Sequence, residues 1–542
     1  MGQSEAGWRK TAGAPSRISQ TVRAPRGADL QCHGWPQEAA LRMLMNSLDP
    51  NVAEQPGDLI ACGATRKVLR DWESYAAIVK TLKSLKDDET LLIRSGKSAG
   101  VVQTHPDAPR VLIANSGPAP RPSISANSER SGNTLPPQAS AASWTWVGTQ
   151  EALPTAFLGL DAIAHKHFGG ILAGKLIVSG GMGAAGGALP LAAGMHHAAF
   201  LGIEVDGEWI RRRIRSGYCD YCVNTLDEAL RILKNAVRQK QGISVGLVGN
   251  CAEIIPELAS RGVLPDILTD QTSAHDLLHG YLPSGLNAQD AGVLRKENPQ
   301  EYLSRCRDSI ARHFSGMLAL EKMGSIVFDF GNGLSAAAAE CGASGAASAF
   351  PDFIEAYLRP LLAAGLAPVR WVALSGDAGD IKTLDTLAIE LFPDHALLAR
   401  WVPLARKFVR FQGLPARVLW MDQRTRILLA ERVNSLVAQG AFKAPLVIAV
   451  DQASESMNTP QLAGRGNQKE KSYATARLPA LNELLSAEPG ASWLSFEAGA
   501  GSSQVTVALA ADGSLQTAKK ISGSLGSDYA LKILRLATSP EG

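Results

Sequence analysis

The chain has 542 residues, 45% of them hydrophobic and 19% charged, with a formal net charge of +3. That length exceeds what a single compact core organises, so two or three cooperating domains are expected, and the near-neutral balance calls for neither a nucleic-acid nor a membrane partner. No apolar run approaches the roughly twenty residues of a membrane helix and the first residues are polar, so a spanning segment and a secretory signal are not expected and a cytoplasmic location is.

Residues 1–36 read as a tail or arm, in which Arg9, Lys10, Arg17, Arg23 and Arg26 sit among Gly, Ser and Pro and most of the stretch is expected to be disordered. Residues 37–150 form a first core segment that alternates amphipathic helix patterns with short apolar runs such as Leu91-Leu-Ile93 and Val111-Leu-Ile113. Its end, 116–138, changes to Pro, Ser, Gly and Asn, the composition of a long functional or disordered loop.

The clearest pattern spans 151–350. Lys175-Leu-Ile-Val178 is a strand candidate running into glycines, a small-residue helix follows through Leu189 and Ala193, and Phe200-Leu-Gly-Ile-Glu204 is the next strand. Thr225-Leu-Asp-Glu228 is a capping box ahead of Leu226, Leu230, Leu233 and Val237 at helical spacing. Ile243–Val248 is a strand, Glu253–Arg261 a helix closed by Gly262, and Asp266-Ile-Leu268 a strand. Strands and helices alternate with short connections, which predicts a doubly wound parallel sheet. Residues 351–542 form a second core segment with buried strands at Trp371-Val-Ala-Leu374, Val418-Leu-Trp420 and Leu446-Val-Ile-Ala-Val450, and a helix over 425–439.

Gly181-Met-Gly-Ala-Ala-Gly186 is a Gly-x-Gly-x-x-Gly loop in a chain with 52 glycines, a weak signal by itself. Its context strengthens it: a strand precedes, a helix follows, and Glu204 lies about twenty residues on at the end of the next strand, as dinucleotide binding requires. Glycines let the backbone turn and approach a pyrophosphate, while a carboxylate accepts from a ribose. The alternative is a glycine-rich packing joint. Asp270-Gln-Thr-Ser-Ala-His-Asp276 follows a parallel strand, at the end where α/β sheets bind ligands; a capped turn with a satisfied histidine is its plainer reading. Seven cysteines in a chain of this length read as reduced thiols. Cys219-Asp-Tyr-Cys222 lacks a second pair at zinc-site spacing, so no metal is assigned.

These segments, together with Arg23-Ala-Pro-Arg-Gly27, Leu41-Arg-Met-Leu-Met-Asn46, Thr104-His105, Gly186-Gly-Ala-Leu-Pro190, Gly280-Tyr-Leu-Pro283 and Phe411-Gln-Gly-Leu-Pro-Ala-Arg417, resemble the urocanase family in order from about residue 23 to about 501. The resemblance implies a fold of α/β class, a Rossmann-like NAD-binding domain inserted in a larger mixed core made from both chain ends. It implies a homodimer with tightly bound NAD+ that acts as an electrophile, forming a covalent adduct with the imidazole of a small imidazole acrylate before water adds. Cofactor contacts carry over to Gly63, Gln138, Ala184, Ala185, Gly186, Glu204, Asn250, Cys251, Gln271, Thr272, Ser273, Ala274, His275, Tyr281 and Leu282. His105 and Arg370 carry over as catalytic-site residues, Arg370 as a partner for a substrate carboxylate, and Asp451, with Glu455 and Glu497, lies where a proton donor is sought.

The sequence departs from the family where chemistry is expected. Leu419 stands at the characteristic cysteine, Met421-Asp-Gln-Arg424 replaces a glycine pair, Cys62 and Phe330 stand at tyrosines, and Trp209 at an NAD-contacting arginine. Asp451-Gln-Ala-Ser-Glu-Ser456 and Phe496-Glu-Ala-Gly-Ala-Gly501 replace two further signature runs. A retained cofactor site beside an altered, less polar substrate shell implies a hydratase for a sulfur-modified urocanate, S-methyl-thiourocanate or thiourocanate. An ordinary urocanate hydratase giving imidazolone propionate and an inactive NAD-binding paralogue are the competing readings.

Overall fold

The computed structural model describes residues 21–62, 66–116, 143–343, 346, 349–452, 490–499 and 502–526. Besides a two-stranded antiparallel ribbon, Ile60–Cys62 with Arg66–Lys67, two large sheets organise them, one wholly parallel and one mixed, so the chain is α/β as the strand–helix alternation predicts.

The parallel sheet has six strands in the spatial order Ile326–Val327, Ile267–Asp270, Leu176–Gly180, Ala199–Glu204, Ser244–Val248 and Tyr221–Val223. Every pair in it is parallel. Its strands are continuous apolar runs, such as Leu176–Gly180 and Ala199–Glu204, because helices cover both faces. The N-cap half of the capping box forms: Thr225 accepts from the Glu228 N–H at 3.3 Å and starts the helix Leu226–Gln239, which buries Leu226, Leu230 and Leu233 but leaves Val237 only partly covered. Tyr221–Val223 is three residues long, too short to carry a readable alternation. The 24-residue helix Pro299–Lys322, which packs on Cys251–Ser260, is also absent from the sequence reading.

The mixed sheet has eight strands, in the order Ala416–Met421, Ala367–Ala373, Leu446–Gln452, Ser502–Ala511, Trp493–Gly499, Val111–Ser116, Glu89–Arg94 and Lys97–Gln103. Val111 registers with Trp493 in a parallel pair, so strands from the two ends of the chain close one sheet and the parallel unit is an insertion between them. One apolar cluster lies between this sheet and the inserted unit, joining Val369, Trp371, Leu419 and Val450 to Phe157, Leu189 and Phe200. A second covers the opposite face with Leu41, Leu44 and Trp144 against Val372, Val418 and Trp493.

The first 36 residues are not all tail. From residue 21 the chain packs: Val22 is buried and the Gly27 N–H donates to the Ser375 carbonyl at 2.9 Å. The cause is Arg42, fully buried in the helix Trp35–Ser47, whose guanidinium needs acceptors and takes the carbonyls of Gly27, Asp29 and Leu374 together with Glu38. None of the seven cysteines is in a disulfide, and no helix among the described residues is long and apolar enough to cross a membrane.

Candidate active site

Leu176–Gly180 and Ile267–Asp270 are neighbours in register, Gly180 opposite Asp270. The chain leaves Leu176–Gly180 towards one side of the sheet and reaches Ile267–Asp270 on the other, so a crevice opens at their C-terminal ends, the usual ligand position in such sheets. The glycine loop and the Gln271–His275 segment emerge there side by side. Gly181 has φ +77°, and a Cβ on it would lie 2.6 Å from the Gln271 carbonyl oxygen; one on Gly186 would lie 2.3 Å from the Gly181 carbonyl oxygen. At both positions only glycine permits the backbone-to-backbone approach that shapes the turn.

A cavity of about 430 Å³ opens above this turn. Its wall carries Ala184, Ala185, Gly186, Glu204, Asn250, Cys251, Gln271, Thr272, Ser273, His275, Tyr281 and Leu282, twelve of the expected cofactor contacts. Ala274 is fully buried and is not on the wall. Gly63 and Gln138 lie outside the described residues. Glu204 ends its strand facing the loop, accepting from the Met182 N–H at 2.7 Å and the Asp206 N–H at 3.1 Å; burial raises its carboxyl above the ordinary range. The first core segment adds Glu54, Gln55 and Cys62 to the wall, and the Glu54 carboxylate accepts from the Ala184 N–H. A carboxylate seated on a loop amide shows that the turn presents donors to an anion, the property a pyrophosphate needs. Arg212 donates to the carbonyls of Pro50 at 3.0 Å and Ala53 at 2.7 Å, which holds Glu54 over the loop.

Asp270 ties the second segment together. Its Oδ2 accepts from the Thr272 hydroxyl at 2.6 Å and from the Asn332 side-chain amide, which also donates to the Thr272 carbonyl at 2.8 Å. Cys251, Asp270 and His313 place their ligand atoms within 4.8 Å of one another. Burial holds the Cys251 thiol well above its usual range and lowers the His313 imidazole, so both resist charging beside Asp270, whose Oδ2 is held by Thr272. Sequence reasoning found neither Asn332 nor His313, since each comes from a segment with no motif.

A second polar group lies on the mixed sheet. Arg370 is buried, and its Nη2 donates to Glu151 Oε1 at 2.7 Å and to Asp451 Oδ2. Asp451 Oδ1 accepts from the Thr506 hydroxyl at 2.8 Å, and Thr506 meets the Ser143 hydroxyl at 3.1 Å. Arg370 Nε and Nη1, both amide atoms of Asn115 and the Ser495 hydroxyl are buried with no hydrogen-bond partner among the described residues. The two groups are joined through the turn Thr149–Glu151: Arg213 donates from Nε to the Met182 carbonyl at 3.0 Å and from Nη1 to the Thr149 hydroxyl.

Three family models cover the chain: the urocanase N-terminal domain over residues 22–145, the urocanase Rossmann-like domain over 148–357 and the urocanase C-terminal domain over 360–541. The chain belongs to the urocanase family. Urocanases are hydro-lyases, so lyase is the class of chemistry this fold serves, and its inserted unit is the Rossmann-like domain of that family.

Within the urocanase framework the departures fall in different places. Cys62, Trp209 and Phe330 line the cavity. Leu419 does not. It registers with Val369, and because successive strand residues point to opposite faces it looks away from Arg370 into the apolar cluster with Trp371 and Val450. The expectation that Leu419 makes the substrate pocket less polar therefore fails at this position. His105 lies on an exposed turn where its carbonyl accepts from Arg110 at 2.8 Å, and it is not on the cavity wall. Glu455 lies outside the described residues, and Glu497 registers with Asn115 and Gln504 in its strand.

Proposed function

We propose that the chain is an NAD+-dependent hydratase that adds water to an imidazole acrylate, with a sulfur-modified urocanate, S-methyl-thiourocanate or thiourocanate, as its substrate. The glycine turn, Glu204 and Gln271–His275 would hold the dinucleotide, and the close backbone approach that only glycine permits at Gly181 and Gly186 fits the tight turn such a ligand needs. When bound, NAD+ supplies an electron sink that side chains lack. Arg370, whose Nε and Nη1 have no partner among the described residues, would orient the acrylate carboxylate. Asp451, fixed by Thr506 and Arg370, would hold a proton acceptor in a defined position.

The observation that carries the sulfur reading is Cys62 on the cavity wall, which Phe330 and Trp209 also line. A soft, apolar wall suits a thioether better than a polar ring edge. One observation favours the ordinary urocanate hydratase instead: Leu419 faces the core, so loss of the family cysteine there leaves the cavity unchanged. Turnover of urocanate, thiourocanate and S-methyl-thiourocanate by the purified protein separates the two. Faster turnover of a sulfur compound is expected, and much faster turnover of plain urocanate would reject the sulfur assignment. A homodimer remains part of the proposal, checked by light scattering.

A further inference from the structure

Glu151 and Asp451 reach the same nitrogen of one guanidinium, Arg370 Nη2, from opposite domains. Glu151 ends the short turn Thr149–Glu151 that enters the inserted unit, whereas Asp451 lies on the mixed sheet. Arg370 is 3% exposed and the two carboxyl side chains are 12% and 11% exposed, so water screens the group little. Among the described residues no second cation is paired with either carboxylate: Arg213, which contacts the same turn, spends its Nη1 on Thr149 and its Nε on the Met182 carbonyl. Glu151 Oε2 accepts from the Val147 N–H at 3.2 Å. Two buried carboxylates against one cation leave an excess negative charge unless one of them is protonated.

We infer that Glu151 and Asp451 hold one proton between them on Arg370, and that this proton is what admits an anionic substrate to the unpartnered edge of the guanidinium. With the proton in place the group is neutral and Nε and Nη1 present donors to a carboxylate; once it leaves, the group carries one negative charge and repels the same carboxylate. The second half rests on the assignment of Arg370 to the substrate carboxylate above. Burial, opposed by Arg370 and reinforced by Asp451, raises the Glu151 carboxyl, the direction that favours a retained proton. Glu151 is thus a specificity-determining residue that acts through Arg370.

The test uses the full chain loaded with NAD+, with urocanate as the anionic probe and its neutral carboxamide as control. For the wild type, the dissociation constant of urocanate is expected to climb as pH rises through the ionisation of the pair, approaching tenfold per pH unit above it, while that of the carboxamide stays flat. Glu151→Gln keeps the hydrogen bond to Arg370 without an ionisable proton, so urocanate binding becomes independent of pH. Asp451→Asn leaves one carboxylate for one cation and flattens the profile as well. An infrared difference between wild type and Glu151→Gln at neutral pH is expected to show a protonated carboxyl band that Asp451→Asn abolishes. Absence of that band, or a pH-dependent rise that persists in Glu151→Gln, overturns the inference. Failure of both probes to bind at any pH would reject the hydratase reading instead, with the infrared band still deciding whether the proton is shared.

Discussion

Gly186 illustrates how one atom decides a site. A Cβ there would sit 2.3 Å from the Gly181 carbonyl oxygen, so Gly186→Ala must open the turn. NAD+ affinity is expected to fall by more than about tenfold in a calorimetric titration while far-ultraviolet circular dichroism is unchanged, because the strain is local. Glu204 makes the complementary case for charge. Burial raises its carboxyl, so it takes up a proton at a higher pH than an exposed glutamate. The carboxylate is the form that accepts from a ribose, so NAD+ affinity should weaken as pH falls through that raised value, and Glu204→Gln should lower it by roughly tenfold at neutral pH and remove the dependence. Both residues were legible in the sequence, since glycine spacing and a carboxylate one strand later are local signals. Glu54 and Asn332, which line the cavity, and His313, buried behind Asp270, were not, because each comes from a segment with no signature of its own.

Helix Leu226–Gln239 shows what an element owes to its sequence. The apolar spacing predicted its buried stripe and Thr225 its first residue, and the helix starts where the cap says it should. Leu233→Ala removes a side chain 1% exposed in the cluster that covers the parallel sheet. A loss of about 2–5 kcal/mol is expected in denaturant unfolding of the inserted unit. Thr225→Ala should cost about 1 kcal/mol in the same measurement. Neither change touches the cavity, so NAD+ affinity should hold for both. Strand Tyr221–Val223 and the long helix Pro299–Lys322 escaped the sequence reading for different reasons. Three residues are too few to establish a period, and the helix mixes buried positions with polar residues such as Ser309 and His313, which blurs its stripe.

At the scale of the whole molecule, Arg42 joins segments far apart in the chain. Its guanidinium, fully buried with Glu38, binds the carbonyls of Gly27 and Asp29 in the arm and of Leu374 in the C-terminal half. Arg42→Met should destabilise the fold by about 3–5 kcal/mol, because it strands Glu38 as a buried charge. The double variant Arg42→Met, Glu38→Leu should recover much of that loss; if it does not, the carbonyl contacts carry the stability and not the ion pair.

The sequence by itself determined whatever is local or periodic. It marked the strand–helix alternation of the inserted unit, the glycine turn with its carboxylate, the capping box and the apolar runs of the later strands. Tertiary structure alone decided the pairing of Val111–Ser116 with Trp493–Gly499, which closes one sheet from both chain ends. It also decided which face of Ala416–Met421 looks at the core, and so removed Leu419 from the substrate question. The convergence of Glu151 and Asp451 on Arg370 is of the same kind. Strand alternation states that two residues lie on opposite faces, but which face meets the site, and what arrives there from elsewhere in the chain, depends on contacts that no local pattern encodes.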